Sequence, residues 1–242
     1  MTTPGETARV AAPDAVFASD ADGWVHGAFE SSLRPAGLGG GACIWLVDPE
    51  DPGPYGDTAL LCPEEQARAA RFFRDVDRQQ YTVAHALLRA KLGERLGCAP
   101  LDVAFTAGPH GRPEVVPTSD LSFSLSHTRG LVGCGIARGV TIGLDLEPLR
   151  PLDALSMAHG ILDDAELADV RSQAGETGWQ RFLQYWTLKE ATLKVRGTGL
   201  TLPAAGAGVR WRDGALTAPY VTTVPDGSEP SWHQARLWRV CR

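Results

Sequence analysis

Leu121-Ser-Phe-Ser-Leu-Ser126 alternates apolar and hydroxyl side chains without a break. Successive side chains of a strand point to opposite faces, so the stretch predicts a strand with Leu121, Phe123 and Leu125 in a core and the serines facing away. Working outward, Val132–Ala137 and Thr141–Leu146 predict two more strands on the C-terminal side. On the N-terminal side the turn-forming Gly108-Pro-His-Gly-Arg-Pro113 follows a short strand at Val103–Thr106, and Cys43–Val47 reads as a buried strand. Helices are expected from Pro63, with proline at its first position and acids in its first turn, to Phe73, and over Asp77–Leu96 with Gly97 as its stop. Further helices are expected at Asp163–Gln173 and Thr177–Val195, and further strands at Val209-Arg-Trp and Ala235–Val240. Strands and helices mix without a βαβ rhythm, which favours an α+β fold. The helices at 77–96 and 177–195 hold similar places in the two halves, a faint internal echo.

Residues 1–41 are rich in Ala, Gly, Pro and Asp and read as an irregular extension. The 242-residue chain is 43% hydrophobic and 21% charged, ordinary values for a globular protein, and holds no apolar run of membrane-spanning length. Its N-terminus lacks the charged and apolar regions of a secretory signal. Five cysteines, none in a CxxC pair, suit a reducing cytoplasmic setting better than a disulfide framework or zinc site. A net charge of −6 argues against a general nucleic-acid binder, so any phosphorylated ligand needs a local basic cluster. Arginine supplies most of the positive charge; the lysines are Lys91, Lys189 and Lys194, two of them within Trp186–Lys194.

Four clusters carry candidate chemistry. In Gly143-Leu-Asp-Leu-Glu-Pro148, Asp145 and Glu147 are two apart and project to one side of an extended chain. Such a pair either decorates a solvated face or holds a hard divalent cation such as Mg²⁺. In Trp186-Thr-Leu-Lys-Glu-Ala-Thr-Leu-Lys194, Glu190 and Lys194 share a helix face. They read either as a surface ion pair or as a third metal ligand beside a phosphate contact. The stripe of Phe182, Trp186 and Leu193 puts that face at the border of a core. Ser126-His127 ends the alternating strand and offers a hydroxyl and an imidazole, and no GxSxG nucleophile elbow accompanies it. Arg68, Arg71, Arg74 and Arg78, with Arg112 in the glycine turn, make either a solvated helix face or a phosphate grip; Arg71, Arg74 and Arg78 line one side if the helix continues.

The order of these clusters resembles the phosphopantetheinyl transferases of the surfactin-synthetase-activating type. The likeness covers about residues 42–205 and extends to Gly197-Thr-Gly-Leu-Thr-Leu-Pro203. It implies a pseudo-dimer of two similar α+β halves, 42–140 and 141–242, with the active site in the cleft between them. It implies transfer of 4′-phosphopantetheine from coenzyme A to a serine of an acyl or peptidyl carrier protein. Asp145, Glu147 and Glu190 would hold Mg²⁺, Lys194 would contact the phosphates, and Glu190 or a metal-bound water would be the base. Arg68, Arg112, Ser126 and His127 would hold the adenosine 3′,5′-bisphosphate end, with Arg78 a candidate because Gln80 stands where the family often has arginine. Glu65 stands where a basic residue is common. Leu200 and Leu202 are candidates for carrier contact, and a pseudo-dimer implies a monomer. The other classes open to these residues are a Mg²⁺-dependent phosphohydrolase and a non-catalytic coenzyme A-binding module.

Overall fold

In the computed structural model, residues 42–108, 111–117, 119–139, 141–173, 175–197, 204–211 and 219–221 are described. The extension 1–41, Leu200, Leu202 and the strand expected at 235–240 lie outside them. The architecture is mixed α and β. The chain divides into two compact units between Leu146 and Glu147, six residues beyond the division near 140 drawn from sequence.

The first unit is built on a three-stranded antiparallel sheet. Its strands are β1 (Ala42–Val47), β4 (Leu121–Thr128) and β5 (Leu131–Arg138), in the order β1-β5-β4. A hairpin of β2 (Ala104–Ala107) and β3 (Pro113–Val116) stands beside it, turning through Gly111 in the glycine-rich segment. Helix α2 (Asp75–Leu96) packs on one face of the sheet, where Val83, Leu87 and Leu88 meet Trp45, Phe123, Val132, Cys134 and Ile136. Burial of these side chains, about 1.5–3 kcal/mol each, supplies most of what holds the unit together.

Helix α1 (Pro63–Ala69) begins as expected but ends four residues short of Phe73, and α2 starts afresh at Asp75. Arg71, Arg74 and Arg78 therefore do not share one helical row. Glu65 joins the two helices. Its Oε2 accepts the Cys62 N–H at 3.0 Å and Arg89 Nε at 2.5 Å, and its Oε1 lies 3.1 Å from His85 Nδ1. Buried Arg89 continues to the carbonyls of Pro100 and Val103.

The strand expected at Thr141–Leu146 is absent; the segment is extended but joins no ladder. It lies on the sheet face away from α2, where Leu144 and Leu146 pack with Ile44, Leu46 and Leu131. The serines of β4 do not face open water: Ser124 and Ser126 are buried beneath this segment.

The second unit contains α3 (Ala154–Met157), α4 (Asp164–Ser172), α5 (Glu176–Arg196) and a short hairpin of β6 (Val209–Trp211) with β7 (Pro219–Val221). Phe182, Leu183, Tyr185 and Leu188 of α5 pack on Leu162, Val170 and Val209. Asp163 and Glu166 cap α4 reciprocally, a signal present in the Asp163-x-x-Glu166 spacing. Among the described residues, no helix is long and apolar enough to cross a membrane.

The Glu65 cluster predicts an acid response. Burial raises the carboxyl pKa, but hydrogen bonds from His85, Arg89 and the Cys62 amide outweigh it and hold it at about 2 against an ordinary 4.5. A depressed folded-state pKa gives stability that is complete above the unfolded value and is lost as pH falls towards the folded one. Urea melts should therefore show stability dropping between pH about 4.5 and about 2, with the Glu65→Gln variant less stable at pH 7 and flatter across that window.

Candidate functional site

Asp145 is positioned by β4. The backbone amides of Ile142, Leu144 and Leu146 donate to the hydroxyls of Ser122, Ser124 and Ser126 at 3.2, 3.0 and 3.1 Å. Ser126 in turn donates its proton to Asp145 Oδ1 at 3.0 Å. Arg112 secures the start of the segment: its Nη2 donates to Ser122 Oγ (3.0 Å), the Phe123 carbonyl (2.8 Å) and the Ile142 carbonyl (3.0 Å). Burial lowers the Arg112 pKa from its ordinary value. Ser126 and Arg112, read from the sequence as bisphosphate contacts, thus also build the support under Asp145.

Glu147 opens the second unit and docks on α5. Trp186 Nε1 donates to Glu147 Oε1 at 2.6 Å. Trp186, Glu190 and Lys194 follow one another at four-residue steps, so the helix places all three along one line. Glu147 and Glu190 thereby belong to one face of α5. Asp145, Glu147 and Glu190, expected from the sequence as Mg²⁺ ligands, are all carboxylates, the oxygen-donor type that suits Mg²⁺. Among the described residues, no three His, Cys, Asp or Glu side chains are drawn together as a metal-binding group.

Lys189, about 100° round the helix from Glu190, has a different part. It is fully buried, donates to the carbonyls of Ala204 (3.1 Å) and Ala207 (2.7 Å), and pairs with Glu166 at 2.7 Å. Glu166, equally buried, also accepts the Val209 amide at 2.7 Å. Burial lowers the Lys189 pKa, and the Glu166 carboxylate opposes that shift. Lys189 stands out in the sequence only as one of two lysines within Trp186–Lys194; its place among an acid and carbonyls makes it a structural tie between α4, α5 and β6.

The basic residues near α1 and α2 are spread out. Arg68 is exposed and lies over the Tyr81 ring at 5.6 Å from its centroid, and Tyr81 stacks on His85 at 4.1 Å. Arg78 is paired with Asp75. Gln80 is buried and donates to the Thr128 carbonyl at 2.9 Å, holding α2 against the end of β4. His127, one residue before that carbonyl, is exposed.

Residues 141–238, which include Asp145, Glu147, Glu190 and Lys194, match the profile of the 4′-phosphopantetheinyl transferase superfamily. The chain is 38% identical over 146 residues to the 4′-phosphopantetheinyl transferase HetI of Nostoc, covering 59% of this chain and 62% of that protein. It is 25% identical over 175 residues to the 4′-phosphopantetheinyl transferase Sfp of Bacillus subtilis, covering 72% and 75% respectively. The L-aminoadipate-semialdehyde dehydrogenase-phosphopantetheinyl transferase of Eremothecium gossypii is 33% identical over 147 residues, 58% of this chain and 52% of that one. The chain spans 65% and 62% of the lengths of a Synechocystis relative and of HetI, just under two thirds of each. The greater identity to HetI than to Sfp gives the superfamily stronger support than the surfactin-activating type within it.

The matched stretch contains the Lys189–Glu166 tie, and breaking it on one side leaves a buried charge. Glu166→Gln should cost about 3–5 kcal/mol of stability in urea melts. Adding Lys189→Met should recover at least half of that loss, because the pair is then removed together. A double variant no more stable than the single one would show that the ion pair is not the source of the cost.

Proposed function

We propose that this protein transfers the 4′-phosphopantetheine arm of coenzyme A to a serine of an apo acyl or peptidyl carrier protein, with Mg²⁺, and releases adenosine 3′,5′-bisphosphate. The observation that carries this reading is the placement of Glu147, through Trp186, on the α5 face that holds Glu190 and Lys194, within the stretch that matches the superfamily. The surfactin-activating type, the pseudo-dimer with halves 42–140 and 141–242 and a cleft between them, the monomeric state and the cytoplasmic setting belong to the same proposal. They are carried by the family resemblance and by cysteine usage. A carrier-activating role in secondary-metabolite biosynthesis goes with them.

Asp145, Glu147 and Glu190 would hold Mg²⁺, which when bound offsets negative charge on the pyrophosphate of coenzyme A. The carrier serine loses its proton to a base, for which Glu190 is the group this chain supplies, and its oxygen bonds to the β-phosphorus. The bond from that phosphorus to the bridging oxygen breaks, and the electron pair leaves with the bisphosphate. Lys194 stabilises the charge that accumulates there. His127, exposed at the end of β4, and Arg68, exposed on α1, are the proposed contacts for the bisphosphate end, together with Arg112 and Ser126 and with Arg78 as a further candidate.

Incubation with coenzyme A, Mg²⁺ and a panel of apo carriers should add one arm per carrier in intact-mass spectra and release an equal amount of bisphosphate. Asp145→Ala and Glu190→Ala should abolish both products while the thermal transition stays within a few degrees of wild type. Bisphosphate release that ignores the carrier would replace transfer with hydrolysis. Coenzyme A binding without turnover on any carrier would reduce the protein to a binding module.

A further inference from the structure

Between Ser122 and Ser126, the face of β4 and β5 turned away from α2 is made of small residues. Ser122, Ser124 and Ser126 stand opposite Ala137, Gly135 and Gly133. A Cβ added at Gly133 would come within 2.8 Å of Leu146 and 3.0 Å of Leu144, and one at Gly135 within 2.9 Å of Ile142. The glycines therefore admit the side chains of Ile142, Leu144 and Leu146, while the serines accept the amides of the same three residues. Donors and acceptors both repeat every two residues, and the apolar side chains repeat with them. A slip of one residue would remove all three hydrogen bonds and turn the three side chains off their glycines.

We propose that Ser122 and Ser124, residues outside every candidate ligand contact, are positioning residues that, together with Ser126, set the register of 142–146 and through it the place of the Asp145 carboxylate. A strand paired in a ladder takes its register from backbone carbonyls, which no substitution can remove. Here the acceptors are side-chain hydroxyls, so the register of the segment is written in three replaceable residues. Ser124 is the central one: it is buried, and its hydroxyl accepts the buried Leu144 amide. Its loss leaves that amide without its acceptor, at a cost large enough to loosen the segment but confined to the face remote from α2. The inference rests on the reading of Asp145 as a site carboxylate, while the rail itself is a property of the fold.

The test uses the full chain. Amide hydrogen exchange on the metal-free protein should show protection of residues 142–146 falling about tenfold in Ser124→Ala while α2 and β1 keep theirs. Mg²⁺ titrated by calorimetry in the presence of coenzyme A, and the Mg²⁺ required for half-maximal carrier modification, should both shift about tenfold to weaker binding. The KM for coenzyme A should change less than twofold, and Ser124→Thr, which keeps the hydroxyl, should restore both measurements. Ser122→Ala, at a half-buried position, gives the same hydrogen-exchange and Mg²⁺ comparison should Ser124→Ala not fold. Unchanged exchange at 142–146 would overturn the rail. Lost protection with an unchanged Mg²⁺ response would overturn its positioning of Asp145. A wild type that modifies no carrier would sink the proposed activity and leave the exchange and calorimetry to decide the rail.

Discussion

Three serine hydroxyls receiving three backbone amides hold the 142–146 segment on the sheet, and the arrangement of the first unit follows from that contact. Small residues bury little apolar area, so this face of β4 and β5 could not form a core by itself. It needs a layer that brings its own leucines, and Leu144 and Leu146 do so against Ile44, Leu46 and Leu131. The chain then leaves the unit at Leu146 with its direction set, which is why the division between units falls there and not at the end of β5. Arg112 closes the start of the segment from the β2–β3 hairpin, and Gln80 ties the end of β4 to α2. Three separate pieces of the unit thus converge on the approach to Asp145.

The second unit solves a comparable problem with charge. Helix α5 carries Glu190 and Lys194 on one side while its other side enters a core containing a lysine. The Lys189–Glu166 pair, completed by carbonyls from Ala204 and Ala207 and by the Val209 amide, satisfies both buried charges and fixes how α5 is rotated against α4 and β6. Such a pair contributes little net stability compared with apolar side chains of the same size. What it provides is geometry, since an ammonium and a carboxylate with defined partners tolerate fewer arrangements than two leucines.

Much of this was legible in the sequence where one periodicity dominated. The alternation at 121–126 and the glycine stop after α2 located those elements within a few residues. The 141–146 segment was misread as a strand because period-two alternation reports an extended, one-side-buried chain and says nothing about what pairs with its backbone. A signal did exist: Gly133 and Gly135 alternate in step with the serines, and glycines inside a strand often mark a close approach by another piece of chain. The carboxylates Asp145, Glu147 and Glu190 stand out in the sequence because their types and spacing are chemically restrictive. The partners of Lys189 and Trp186 were not legible. Burial of an ammonium depends on a partner, Glu166, twenty-three residues earlier in the chain, and the indole's bond to Glu147 joins residues thirty-nine apart. The row of Arg71, Arg74 and Arg78 failed for a local reason, the break between α1 and α2 at residues 70–74.

The bond from Trp186 to Glu147 has an optical consequence. An indole whose N–H is held by a carboxylate sits in a strong local field, and anything that draws the negative charge of Glu147 away changes that field at the ring. The emission of Trp186 therefore reads the electrostatic state of this acidic face without any attached dye. The chain carries six other tryptophans, and a version in which those are phenylalanine would turn the remaining one into a direct reporter of what the face has bound.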